Sequence, residues 1–287
     1  MQIGLLISGN LGLTVFKEMV EKYKISFVLT DKNSYAIIDF CKVRDISFFA
    51  GNPRNSNVIH NLKYPLCDII ISVNYLFIID IDIINYPKKF AINFHGSLLP
   101  KYRGRTPHVW AIINNEKETG ISAHLMDKNC DSGDIIAQIK VPIKRDYTGS
   151  DILNIYTTIY PIFVNKVIDS IEKNTLKLIK QDNSKATFFG KRTSEDGLIN
   201  WNWQKERIYN WVRAQAYPYP GSFSFINNEK IIINKIEFSS HGYNYETLNG
   251  KVVGFEKSNP IIKTSNGCIK ILNYEFYLPI KLNDILK

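Results

Sequence analysis

Short apolar runs separated by helix-length segments constrain the first half of this chain more than any other feature. Runs at residues 2–8, 25–29, 46–49, 68–72 and 90–94 are too short for helices and are rich in the Ile, Val and Phe that suit a pleated strand. Between them, residues 13–22, 34–44 and 56–63 read as helices. Strands that alternate with helices pair in parallel, because each crossover returns the chain to the same end of the sheet. The expected class is α/β, with a doubly wound, mostly parallel sheet. Residues 120–126 and 134–141 add two more strands. Ser150 and Asp151 mark the cap of a long amphipathic helix over residues 152–173.

The pattern changes after Lys191. Strand-like runs at residues 222–226, 231–238, 252–255, 261–264 and 268–274 follow one another with turn residues between them. They predict a small all-β unit. A chain of 287 residues with 45% hydrophobic content can bury one large core and a smaller second one.

The net charge of +9 suits anionic partners such as phosphate esters, nucleic acid or a membrane surface. Its distribution narrows the choice. Lysines are interspersed with Asn and Ile and form no basic block, which is the pattern of a solvated surface and points to no nucleic-acid partner. No apolar run reaches the roughly 18 residues of a spanning helix, so no membrane insertion is expected. The opening M-Q-I-G-L-L-I-S-G-N has neither a basic leader nor a small-residue cleavage site and reads as a buried strand. Cys41, Cys67, Cys130 and Cys268 lack metal-ligand spacing. They read as free thiols of a reducing, cytoplasmic compartment, and no metal is expected.

The chemistry concentrates in residues 92–137. Asn93 and His95 end an apolar run, and positions two apart on a strand share a face. Both polar groups therefore leave the strand end on the same side. Asp131 follows in a Gly-containing loop between two further apolar runs. An amide, an imidazole and a carboxylate at converging strand ends suit acyl transfer. The amide stabilises an oxyanion, the imidazole moves a proton, and the carboxylate orients the imidazole and balances its charge. His60, His124 and His241 lack such company and are assigned to packing or surface; His108 is expected to line the pocket.

Residues 8–12, S-G-N-L-G, form a turn from the first strand into a helix. The turn is either a plain tight turn or a phosphate cradle; the dinucleotide fingerprint and the P-loop Lys are both absent. Lys101, Arg103 and Arg105 surround Tyr102 and Gly104, as an exposed basic turn or as an anion site. Trp110 either packs in the helix it begins or stacks on a base.

Together, I-N-F-H-G-S-L-L-P, Y-R-G-R-T-P-H-V-W and D-K-N-C-D-S-G-D resemble the folate-dependent formyltransferases over nearly the whole chain. The branch that formylates nucleotide-linked amino sugars is the most similar. The resemblance implies a Rossmann-like catalytic domain over residues 1–190 and a small open, OB-like β-barrel over residues 191–287. It places Asn93, His95 and Asp131 on the catalytic positions. The co-substrate 10-formyltetrahydrofolate would meet Phe77, Ile78, Ile79, Arg105 and the loop of Asp127, Lys128, Asn129, Cys130 and Asp131. The acceptor, an amino sugar on dTDP or UDP, would meet Asn10, Tyr75, Arg103, Gly104, Arg105, Thr106, Pro107 and Trp110. Methionyl-tRNA formyltransferase is the alternative within the family, and a silent folate-binding module the alternative outside it. Against the first, residues 30–34 lead straight into a helix with no basic insertion, and Arg105 to His108 replace the small residues expected there. The sequence leaves the oligomeric state open, a homodimer included.

Overall fold

The computed structural model describes residues 1–55, 58 and 67–287. Apart from Val58, the helix expected over residues 56–63, and His60 with it, lies outside the described residues. The chain divides into two compact units. One comprises Met1–Pro107, Thr119–Val141 and Asn154–Phe189; the other comprises His108–Glu118, Pro142–Leu153 and Gly190–Lys287.

The first unit is built on a seven-stranded sheet of order β3-β2-β1-β4-β5-β7-β8. Strands β1 (Gln2–Ile7), β2 (Lys24–Thr30), β3 (Phe48–Ala50), β4 (Ile69–Val73) and β5 (Phe90–His95) run parallel. β4 is buried at every position, as its unbroken I-I-I-S-V run requires of a strand covered on both faces. Helix α1 (Gly9–Val20) presents Leu11, Val15, Phe16 and Met19 as one buried stripe. Helix α2 (Tyr35–Val43) follows β2, and α3 (Ile81–Ile84) is a single turn after β4. From β1 the chain moves outward to β2 and β3, then crosses back to β4 on the other side. That reversal is a topological switch point, and open α/β sheets gather ligands at the carboxyl ends of the strands beside it, here β1 and β4.

β7 (Glu118–Leu125) pairs antiparallel with β5, and β8 (Ile135–Pro142) forms the far edge. The two-residue strands β6 (Arg103–Gly104) and β9 (Phe188–Phe189) pair separately. Two further helices are α4 (Pro107–Ile113) and α5 (Gly149–Glu172). The expected cap of α5 shifts by two residues. Thr148 Oγ1 accepts from the Asp151 amide at 3.2 Å, and Asp151 Oδ2 accepts from the Thr148 amide at 2.8 Å. This reciprocal pair is a capping box with Thr148 in the cap position.

The second unit carries a five-stranded antiparallel sheet of order β10-β11-β14-β13-β12, from β10 (Ser222–Ile226), β11 (Glu229–Ser239), β12 (Val252–Glu256), β13 (Asn259–Thr264) and β14 (Gly267–Glu275). The final residues join its edges: Lys287 exchanges backbone hydrogen bonds with Phe225 on β10, and Asp284 accepts from Val252 on β12. The unit is not all-β. Helix α6 (Lys205–Gln215) packs on β11 and buries Ile208, Trp211 and Val212. Asn210, Arg213 and Gln215 of the same helix are also buried, which hides its apolar stripe in the sequence. Each is partnered: Arg213 Nε donates to Asn210 Oδ1 at 2.9 Å, and Gln215 Nε2 donates to the Trp211 carbonyl at 3.0 Å. Among the described residues, no helix is long and apolar enough to cross a membrane.

Candidate active site

Pairing register brings the polar strand ends together. Asn93 on β5 lies between Ser72 on β4 and His124 on β7, and His95 lies opposite Ser122. Asp131, in the loop between β7 and β8, reaches back to both. Asn93 Nδ2 donates to Asp131 Oδ1 at 3.2 Å, and His95 Nδ1 stands 3.6 Å from Asp131 Oδ2. His95 Nε2 is 2.7 Å from the Tyr102 carbonyl, which can only accept, so this nitrogen carries a hydrogen. Asp131 Oδ2 also accepts from the Gly104 amide at 2.9 Å. Burial works against the charge of Asp131, but its neighbours, His95 first and the Gly104 amide among them, outweigh it. They hold the carboxyl well below the usual carboxylate range.

His124 belongs to this cluster, which corrects its assignment to packing or surface. It is 2% exposed; its Nδ1 donates to the Leu125 carbonyl at 2.7 Å, and its Nε2 faces Asn93 Nδ2 at 3.2 Å. A ring with its hydrogen on Nδ1 can accept at Nε2, so Asn93 spends one amide hydrogen on His124 and the other on Asp131. The signal was in the sequence. Ser122 and His124 are polar positions two apart in the otherwise apolar run from Ile121 to Leu125, the same pattern as Asn93 and His95.

The turn after β5 is tightly constrained. Tyr102, Gly104 and Thr106 have φ of 60°, 104° and 45°. Residues 187–189 hold it: the Arg103 amide donates to the Thr187 carbonyl at 2.8 Å and the Arg105 amide to the Phe189 carbonyl at 3.0 Å. The Tyr102 ring stacks on Phe189 at 4.9 Å. Gly104 is required twice over, by its φ and because a Cβ there would lie 2.2 Å from the Phe189 carbonyl oxygen. Gly104→Ala is expected to destabilise the fold by about 1–3 kcal/mol from backbone strain alone. Chemical denaturation measures this, and unchanged stability would mean that the turn is not held as described.

The structure places the other expected residues unevenly. Arg103 is not an exposed anion ligand: it is 3% exposed, and its NH2 group donates to Gln181 Oε1 at 2.7 Å and Asn183 Oδ1 at 2.8 Å. Arg105 donates to the Leu76 carbonyl and so joins the turn to the loop after β4. In that loop Phe77 packs edge-on against Tyr75 and Ile79 lies against the core, while Ile78 is 68% exposed. Asp127 accepts from the Asn129 amide at 2.9 Å and from Ser132 Oγ, which sets the bend carrying exposed Lys128, Asn129 and Cys130. The Cys130 thiol donates to the Asp131 carboxylate at 3.2 Å; the residue is exposed overall, but partial desolvation of its sulfur and then the Asp131 charge push the thiol up to about 12. A thiol so protonated is a poor nucleophile.

Asn10 is exposed at the start of α1. The adjoining Gly9 amide is already taken by Ser34 Oγ at 2.9 Å, and Ser34 Oγ donates to buried Asp31 at 2.5 Å. An internal carboxylate thus serves the helix N-terminus where a phosphate cradle was one alternative. In the second unit, Trp110 Nε1 donates to the Gly190 carbonyl at 3.2 Å, and Arg192 lies 4.9 Å over the Trp110 ring and 4.4 Å over Trp211. His108 Nε2 meets Tyr219 Oη at 2.6 Å. Buried Pro107 begins α4, and the hydroxyl of Thr106 just before it has no hydrogen-bond partner among the described residues.

Residues 12–164 match the formyl transferase family, and residues 191–281 match the formyl transferase C-terminal domain. The chain belongs to the formyl transferase family. It is 35% identical over 282 residues to the bifunctional polymyxin resistance protein ArnA of Wigglesworthia glossinidia brevipalpis, which covers 93% of this chain. It spans 41% of that relative's length. Two solved structures share the fold. One is the N-formyltransferase of Helicobacter canadensis with folinic acid and dTDP-3-aminofucose, at TM-score 0.69 and 21% identity, covering 94% of this chain and 97% of that one. The other is the sugar 3N-formyl transferase WlaRD with dTDP and 5-N-formyl-THF, at TM-score 0.68, 24% identity and the same coverages.

Proposed function

We propose that this enzyme transfers a formyl group from 10-formyltetrahydrofolate to the amine of a nucleotide-linked amino sugar, a dTDP-amino-dideoxyhexose, for surface polysaccharide assembly. Residues 1–190 serve as the catalytic domain and residues 191–287 as the smaller domain, in the cytoplasm. The observation that carries the reading is the joining of Asn93, His95 and Asp131 in one part-buried cluster at the carboxyl end of β5. The donor supplies an activated formyl carbon and a leaving nitrogen. Residues after β4 and β7 suit a flat heterocycle: Tyr75, Ile79 and Met126 are half-buried apolar side chains against the core, and the bend at Asp127 carries exposed Lys128 and Asn129.

Asn93 donates to the formyl oxygen as it gains negative charge. Both of its hydrogens are engaged without ligand, so substrate binding exchanges one of those bonds for one to the formyl oxygen. His95 takes the proton of the attacking amine and passes it to the leaving nitrogen. Asp131 keeps a full negative charge beside the ring while the ring carries that proton.

The relatives support the acceptor class: both solved structures hold a dTDP moiety together with a formylated folate. Salt dependence discriminates between acceptors. A nucleotide sugar offers two phosphates, whereas transfer RNA engages many and loses affinity steeply as salt rises. The purified enzyme is expected to formylate a dTDP- or UDP-linked amino sugar with mild salt dependence. If it ignores every such sugar and formylates methionyl-tRNA with steep salt dependence, the acceptor assignment is wrong. No turnover with any amine would favour a binding module.

A further inference from the structure

Gln181 has no place in the chemistry described so far, yet it touches the backbone on both sides of Ser132. Its Nε2 donates to the Asp131 carbonyl at 2.9 Å and to the Gly133 carbonyl at 2.7 Å. Its Oε1 accepts from Arg103 NH2 at 2.7 Å. Both side chains are buried, at 6% and 3% exposure. The orientation of the amide is determined by its partners: reversed, its oxygen would face two carbonyl oxygens and its NH2 would face a guanidinium.

Asp131 needs such support. Its φ of 52° lies in the left-handed region, which costs a non-glycine residue and persists only where neighbours enforce it. A Cβ at Gly133 would lie 1.9 Å from the Leu125 carbonyl oxygen, so the loop is already pressed against β7. Gln181 is fifty residues away in sequence from Asp131 and seventy-eight from Arg103. Beside the Asp131 carboxylate itself, it is a side chain that joins the carboxylate loop to the 102–106 turn. The same turn supplies the Tyr102 carbonyl to His95 and the Gly104 amide to Asp131. The two loops that frame the imidazole are therefore tied together by the buried Gln181 amide as well as by the Asp131 carboxylate.

We infer that Gln181 is a positioning residue for formyl transfer: it clamps the Asp131 loop through two backbone carbonyls and is itself held by Arg103. The inference rests on the proposed role of Asp131. Arg103 then acts in the site through Gln181, without contact to substrate. Small displacements of reacting groups are costly in rate, so the clamp affects turnover while leaving ligand binding largely intact.

Gln181→Glu separates the two halves of the contact. It keeps an acceptor for Arg103 and removes both donors to the loop. Its kcat is expected to fall by about 10- to 100-fold, as displacement of a catalytic group predicts, with KM for the acceptor and Kd for folate within about twofold of wild type. The pH dependence of kcat should also move, because the position of Asp131 beside His95 changes. Gln181→Met, which adds no charge, should lower kcat in the same direction. Each variant is assayed below its own melting temperature, so a loss of stability does not mask the result. If both variants keep wild-type kcat and pH profile, the clamp is refuted and Gln181 only anchors Arg103. Asp131→Asn run alongside separates the two levels: an active Asp131→Asn sinks the catalytic reading, and an inactive one beside normal Gln181 variants sinks the clamp alone.

Discussion

Asn93→Ala is expected to lower kcat by about 100- to 1000-fold, the usual cost of deleting a donor aimed at a developing oxyanion. The effect should fall on kcat more than on KM, because the bond to the formyl oxygen strengthens only as that oxygen becomes charged. The geometry adds a second consequence. Asn93 Nδ2 bridges Asp131 Oδ1 and His124 Nε2, so its removal leaves those two groups 3.5 Å apart with no amide hydrogen between them. Asn93→Asp should be worse than alanine: it replaces the donor by a second carboxylate against Asp131, and like charges that close resist joint ionisation. Steady-state kinetics with folate binding measured by fluorescence tests both variants. A folded Asn93→Ala enzyme within a few-fold of wild-type kcat would end the oxyanion role.

The parallel sheet was legible because its strands are short apolar runs spaced by helices, and β1, β2, β4 and β5 fall within one or two residues of the runs at 2–8, 25–29, 68–72 and 90–94. That Asn93 and His95 meet Asp131 was legible for a related reason: polar residues at the end of a buried strand are costly to place without polar partners. What stayed hidden depends on contacts between distant segments. Arg103 looks like a surface cation in R-G-R, and only its pairing with Gln181 and Asn183, far along the chain, makes it a buried strut. Gln181 lies in the polar stretch I-K-Q-D-N-S-K, where nothing local marks it as buried. Helix α6 was missed for the same cause, since Asn210, Arg213 and Gln215 are buried through partners that spacing does not reveal. Sequence periodicity registers apolar burial well and paired polar burial poorly.

Asp131→Asn is the variant that separates charge from shape. Asn tolerates the left-handed backbone at this position, so φ of 52° need not change. The carboxylate accepts from Asn93 through Oδ1 and from the Gly104 amide through Oδ2. An amide has one acceptor, so one of those donors must face an NH2 group instead, and the imidazole loses its counter-charge. A loss of about 100-fold or more in kcat is expected, the range of a disabled acid–base group. Stability should follow pH in a defined direction. The carboxyl of Asp131 is held below its ordinary value in the folded state, so its ionisation favours folding above the unfolded-state pKa of about 4. That contribution is lost progressively as pH falls towards the depressed folded value. Wild type should therefore exceed Asp131→Asn in stability at neutral pH, and the gap should close on acidification below about pH 4. Urea unfolding of both proteins across that range reads the gap directly. A gap that widens with acid would mean that Asp131 is not held ionised by its neighbours, and the electrostatic role assigned to it in proton transfer would fall with that result.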